Sequence, residues 1–203
     1  MLLARGHHCR CPARAGAAAA AAATGRQQQP PPTPRAPAAA DAKAARRAAR
    51  AVPIRVVHVS KPQGASPGLE LAADEWLEKL RRHCPGADVV GVRPSGGSPD
   101  ADAERVLRHV SPGDRVILLD ERGASLTSPS LANLVAKAGD DGVPRLVFLI
   151  GGAYGHGAAC RARADQSCRL SDLVLNHAVA RVVLLEALYR AWAILRGDPY
   201  HHA

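Results

Sequence analysis

No stretch of this 203-residue chain approaches the roughly 18 consecutive apolar residues that a membrane-crossing helix needs, so a spanning protein is excluded. Aromatic residues make up only 3% of the chain, and residues 1–51 contain none at all. Acids are nearly absent from that same segment, where Asp41 is the single one. Five cysteines occur without a CxxC pair: Cys9 and Cys11 lie near the start, and Cys84, Cys160 and Cys168 are far apart. That spacing excludes a cysteine metal site and fits structural thiols in a reducing compartment. HExxH, the serine elbow GxSxG and a paired-carboxylate pattern are missing too, which removes the zinc hydrolase, serine hydrolase and glycosidase readings.

What is present divides the chain in two. The formal charge of +9 suggests a polyanion-binding surface until it is located. Residues 1–51 hold nine Lys or Arg against one acid, or +8, and residues 52–203 hold 18 basic against 17 acidic side chains, or +1. The same first segment has 20 alanines, the run Gln27, Gln28, Gln29 and four prolines between Pro30 and Pro34. Nothing in it can nucleate a packed core, and it is expected to be disordered. An Ala- and Arg-rich, acid-poor leader fits an organelle transit peptide, with the chloroplast favoured and the mitochondrion the alternative. The bland reading is a disordered extension with no address.

From Val52 onward the pattern alternates. Ile54, Val56, Val57 and Val59 read as a strand, and Gly68 to His83 as a helix stopped by Cys84, Pro85 and Gly86. Ala87–Val92 reads as a strand, Pro94–Pro99 as a loop and Asp100–Val110 as a helix. Arg115–Leu119 is a buried strand with Asp120 at its carboxyl edge, followed by a polar turn through Gly123. Ser128–Ala138 is expected as a helix, with Ser128 as cap and Pro129 at the first helical position. Arg145–Ile150 suits a central parallel strand covered on both faces. A glycine-rich loop, a short helix to about Ala164, a strand around Leu170–Leu175 and a long helix from Val179 to Leu195 complete the chain. That last helix is apolar on more than one stripe, so it is deeply buried or lies at a subunit interface. Strands alternating with helices argue an α/β domain with a largely parallel sheet, over residues 52–203.

In such sheets ligands bind beyond the carboxyl ends of the strands. The loops after Asp120, Ile150 and Leu175 are therefore joint candidates. Gly151, Gly152, Gly155 and Gly157 fail the dinucleotide fingerprint, because Cys160 stands where the third glycine belongs. They fail the NTPase phosphate loop as well, because Ala158 and Ala159 replace its Lys and Ser or Thr. A loop whose backbone can approach a ligand remains, alongside the plain reading of a tight strand-to-helix turn.

A more specific pattern runs through the second half: Leu149-Ile150-Gly151-Gly152, Gln166-Ser167, Leu170-Ser171, the run Glu186 to Trp192 and the terminal Pro199-Tyr200-His201. It resembles the RlmH family of SPOUT methyltransferases, and the likeness extends more weakly through Val116–Gly123 back to Ile54. The resemblance implies an α/β domain with a C-terminal trefoil knot, a homodimer without metal or membrane, and S-adenosyl-L-methionine as methyl donor. It implies as substrate N3 of a pseudouridine in large-subunit ribosomal RNA, met as the assembled ribosome or its subunit. By position, the cofactor would contact Leu119, Gly152 and the segment Ser171, Asp172, Leu173, Val174, Leu175, Asn176.

For the base, the candidates are Tyr200, His201, Arg181 and Arg190, as donors placed where charge develops. Arg181 and Arg190 have the alternative of pairing with Glu186, and His177, expected to orient the cofactor loop, has that of capping its helix. Ala178, Ala153, Tyr154 and His202 depart from the usual family residues at their places. An RNA-facing patch is expected from Arg161, Arg163, Arg169, Arg181, Arg190 and Arg196. A tRNA methyltransferase of the same superfamily and a non-catalytic RNA-binding assembly factor stand as alternatives.

Overall fold

A computed structural model describes residues 50–61, 66–96 and 98–198. The leader and the candidates Tyr200 and His201 lie outside the described residues.

Short apolar runs punctuated by helix caps form five strands and five helices among the described residues. In chain order these are β1 (Ile54–Val59), α1 (Pro67–Arg81), β2 (Asp88–Val92), α2 (Pro99–Leu107), β3 (Arg115–Ser125), α3 (Ser128–Asp140), β4 (Leu146–Ile150), α4 (Ala158–Arg163), β5 (Gln166–Arg169) and α5 (His177–Arg196). The sheet has the order β2-β1-β4-β3-β5 with every pairing parallel. The α/β class with a parallel sheet is as expected.

Side-chain alternation divides the core between the two faces of the sheet. Ile54, Val56, Leu146 and Phe148 pack with α1, α3 and α5, while Val57, Val59, Val147 and Leu149 pack with α2 and α4. All five residues of β4 are buried, as a strand covered on both faces requires. Helix α5 buries Leu184, Leu185, Leu188 and Trp192 against α1 and α3 within the same chain, so its broad apolar surface needs no partner to explain it.

Three expectations need correction. The polar turn after Asp120 is an excursion within β3: Leu119 and Ala124 both oppose Cys168, and residues 120–123 bow out between them. Gly123 permits this, since a Cβ there would fall 2.5 Å from the Cys168 backbone. The final strand is Gln166–Arg169, not Leu170–Leu175. Asp165 fixes that earlier start by donating its N–H to the Val116 carbonyl (2.9 Å) and accepting the Val116 N–H on its carboxylate (2.7 Å). Beyond Arg169 the chain leaves the sheet, and the Ser171 hydroxyl turns it by accepting the Leu173 N–H at 2.9 Å. The cap of α3 is Thr127, which exchanges hydrogen bonds with Ser130 in a capping box. Ser128 is then the first helical residue, and the shift places Pro129 one position further in.

Candidate active site

The parallel sheet brings the β3 excursion and the carboxyl ends of β4 and β5 to one edge, where the excursion and the loops after β4 and β5 line a cavity of about 680 Å3. Leu119 to Arg122 form one wall, Ile150 to His156 the floor, which rises to the rim at the exposed Tyr154, and Leu170 with Leu173 to His177 the far wall. A volume of this order is that of a small-molecule site. The three loops singled out in the sequence thus meet in one place.

The glycine loop is built by close backbone approach. The Gly155 N–H donates to the Gly152 carbonyl at 3.0 Å, and Gly155 adopts φ +79°, a left-handed conformation that costs a glycine little. A Cβ on Gly151 would stand 2.8 Å from the Gly155 carbonyl carbon, and one on Gly152 would press on Val59 at 3.2 Å. His156 then ties the floor to the wall, its Nε2–H donating to the Leu119 carbonyl at 2.9 Å. Since a carbonyl only accepts, Nε2 carries a proton, and burial lowers the pKa of the ring against the opposing pull of that bond.

Asp120 makes a second tie. Its carboxylate accepts the Arg122 N–H at 3.0 Å and the Arg161 guanidinium at 2.6 Å, joining the β3 excursion to α4. Burial would raise the Asp120 pKa, but the Arg122 N–H and Arg161 together hold it below the ordinary carboxylate range.

Of the cofactor candidates, Leu119, Gly152, Ser171, Leu173, Val174, Leu175 and Asn176 line the cavity. Asp172 is not among the lining residues and pairs with Arg169 at 2.9 Å. Asn176 caps α5 by accepting the Ala178 N–H at 2.9 Å, so His177 is the first helical residue rather than the cap, and its side chain belongs to the cavity lining.

The arginine candidates disperse. Arg181 is buried, 5% exposed, and does not line the cavity. It donates to His58 Nε2 at 3.1 Å and pairs with Glu70 at 2.6 Å, not with Glu186. His58 must accept, so it is neutral; burial and then Arg181 lower its pKa to about 4. Arg190 pairs with Glu186 one turn away on α5. Arg161 and Arg169 line the cavity, Arg163 donates to the Asp114 carbonyl (2.6 Å) just before β3, and Arg196 is exposed at the end of α5.

Sequence reasoning missed the Asp120–Arg161 tie, the His58–Arg181–Glu70 cluster and Arg122, which also lines the cavity. Only Asp120 carried a signal, as an acid at a strand's carboxyl edge. No group of three or more His, Cys, Asp or Glu able to hold a metal ion occurs among the described residues, and no helix there is long and apolar enough to cross a membrane. Cys84, Cys160 and Cys168 are buried free thiols whose pKa values burial raises, that of Cys160 to about 11, which suits inert packing residues.

A parallel sheet with a cavity of mixed apolar and charged lining at its strand ends, floored by glycines and free of the phosphate-loop signatures, defines an α/β domain suited to a small organic ligand. Residues 52–201 match the family described as predicted SPOUT methyltransferases. A protein of Arabidopsis thaliana that carries the provisional name of an RNA methyltransferase is 42% identical over 162 residues, covering 77% of this chain and 83% of that one. Ribosomal RNA large subunit methyltransferase H of Geobacter metallireducens is 41% identical over 154 residues, 74% of this chain and 99% of its own. The protein of the same name from Geobacter sulfurreducens is 39% identical over 153 residues, 73% and 99% of the two chains. The chain belongs to the SPOUT methyltransferases, and within them to the RlmH family. It is a methyltransferase, and the donor used by this family is S-adenosyl-L-methionine.

The residues present suit that donor. Leu119, Ile150, Leu170 and Leu175 offer an apolar bed, and the missing Cβ atoms at Gly151 and Gly152 let the turn close tightly on Gly155 and Val59 along the cavity lining. Asn176 and His177 add polar atoms at the start of α5, where the dipole suits a carboxylate.

Proposed function

We propose that the chain methylates N3 of a pseudouridine in large-subunit ribosomal RNA, on the subunit or assembled ribosome, acting as a homodimer with a knotted C-terminal segment. The observation that carries this reading is the strand-end cavity, lined by seven of the eight family-matched cofactor positions, in a chain about 40% identical over nearly the full length of proteins named for that RNA. The leader, with its +8 charge and 20 alanines, supports delivery to the chloroplast, the mitochondrion being the other organelle of that address type.

The cofactor, when bound, supplies a methyl group already activated by its sulfonium. The protein's work is then alignment. The bed of Leu119, Gly152 and Leu175 holds the donor, and the Asp120–Arg161 and His156–Leu119 ties keep two of the three walls in register. Tyr200, His201 and Arg190 are assigned to the base, with donors placed to stabilise the charge left as N3 loses its proton. Arg181, sealed against His58 and Glu70, positions the start of α5 and does not itself touch the base.

The test is to incubate the full chain and labelled donor with large ribosomal subunits that carry pseudouridine but lack its N3 methyl, and separately with tRNA, then map the methyl by mass spectrometry. A single methyl on N3 of a pseudouridine is expected. Label on tRNA alone, or none despite donor binding, would contradict the reading in favour of the tRNA enzyme or the assembly factor respectively.

A further inference from the structure

The turn Gly152-Ala153-Tyr154-Gly155 is closed by the Gly155 N–H to Gly152 carbonyl bond and anchored on its far side by His156, so its tip is rigid. At that tip Tyr154 stands 86% exposed, with no hydrogen bond or ring contact to any described residue. An aromatic ring held out on a stiff turn has no packing purpose within the chain. Across the mouth, on the β3 excursion, Arg122 is equally out: its side chain is 84% exposed, with only a loose contact to Glu121 at 3.9 Å. Its backbone is nonetheless fixed, through the N–H bond to Asp120. Both residues line the same cavity from different walls.

An exposed ring and an exposed guanidinium on two walls of one cavity are the chemistry that takes an unpaired nucleobase and its phosphate: the ring stacks on the base and the cation pairs with the backbone. The donor is a poorer occupant, because its bed is the deeper set Leu119, Gly152 and Leu175. We propose that Tyr154 and Arg122 form a clamp at the cavity mouth that grips the single-stranded segment of RNA presented for methylation. This rests on the RNA-methyltransferase reading and adds to it which residues contact the strand.

The clamp is tested in the full chain with Tyr154→Ala, Tyr154→Phe and Arg122→Gln. Methyl transfer to large subunits, donor affinity by calorimetry and oligomeric state by sedimentation are followed in each. Tyr154→Ala is expected to raise KM for the subunit roughly tenfold, with donor Kd and sedimentation unchanged, whereas Tyr154→Phe keeps the ring and stays near wild type. Arg122→Gln is expected to reduce the slope of log kcat/KM against log salt by about 1.

An unchanged KM in Tyr154→Ala overturns the clamp. A donor Kd weakened as much as KM would place the ring in the cofactor bed, and a smaller sedimenting species would place it under a second copy; each also overturns it. If the wild-type chain transfers no methyl to ribosomal RNA, the functional reading fails first. The clamp is then judged on binding of a fluorescein-labelled single-stranded RNA dodecamer: loss in both Tyr154→Ala and Arg122→Gln supports it, and equal binding refutes it.

Discussion

Two arginine–carboxylate clusters stand at the same edge of the sheet and do different work. Arg181 with Glu70 and His58 joins α5 to α1 and β1 in the interior, and the arginine side chain is 6% exposed. Arg161 with Asp120 joins α4 to the β3 excursion at the cavity wall, and its arginine is 47% exposed. Place decides the difference, since burial runs in opposite senses: the inner pair seals its arginine and leaves Glu70 41% exposed, the outer pair seals Asp120 to 8% and leaves its arginine half-exposed, and only the outer pair lines the cavity. The inner cluster therefore belongs to stability, and the outer one to the shape of the site.

The comparison breaks most visibly at Arg181. Arg181→Ala leaves neutral His58 with a buried unsatisfied acceptor and Glu70, itself 41% exposed, without its partner, and is expected to cost about 2 kcal/mol in urea unfolding; a loss under about 1 kcal/mol would make the inner cluster no different from a surface pair. His58 sharpens the point through pH. Its folded pKa of about 4 lies below the ordinary 6.5, so the unfolded chain binds the extra proton, and stability falls as pH drops from 6.5 towards 4. The fall due to this group is up to about 3 kcal/mol. His58→Gln, which still accepts from Arg181, is expected to flatten that part of the pH–stability curve while leaving donor affinity at pH 7 unchanged.

At the outer cluster the expected effects exchange places. Asp120→Asn weakens the tie to Arg161 and is expected to reduce donor affinity about tenfold, equivalent to about 1.4 kcal/mol, with a smaller change in melting temperature than Arg181→Ala gives. Thr127→Ala, at the α3 cap away from both clusters, is expected to cost about 1 kcal/mol of stability. Donor affinity should not change, which calibrates the other variants.

The legible parts of the molecule were those where one period dominates. Leu146–Ile150 and the α5 stripe declared themselves because full burial writes itself as unbroken apolar sequence. The β3 excursion did not, because a bowed-out strand and a turn share the same polar residues, and only the contact of Gly123 with Cys168 separates them. Likewise Leu170–Leu175 is apolar as a strand would be, yet Leu173 and Val174 are 75% and 80% exposed at the cavity. Apolar residues that line a ligand site look in sequence like apolar residues that pack a core. The cavity's location followed from the strand-end rule, while the partners of Arg181 did not, since His58 and Glu70 lie 123 and 111 residues away from it in the chain.

The central claim is that the glycine-floored cavity at the ends of β3, β4 and β5 is the bed of the methyl donor. Calorimetric titration of S-adenosyl-L-methionine into the full chain, beside a Gly152→Leu variant of matched melting temperature, tests it most directly. Saturable binding by the wild-type chain and none by the variant is the predicted result. Equal binding by both would contradict it and move the donor to another part of the molecule.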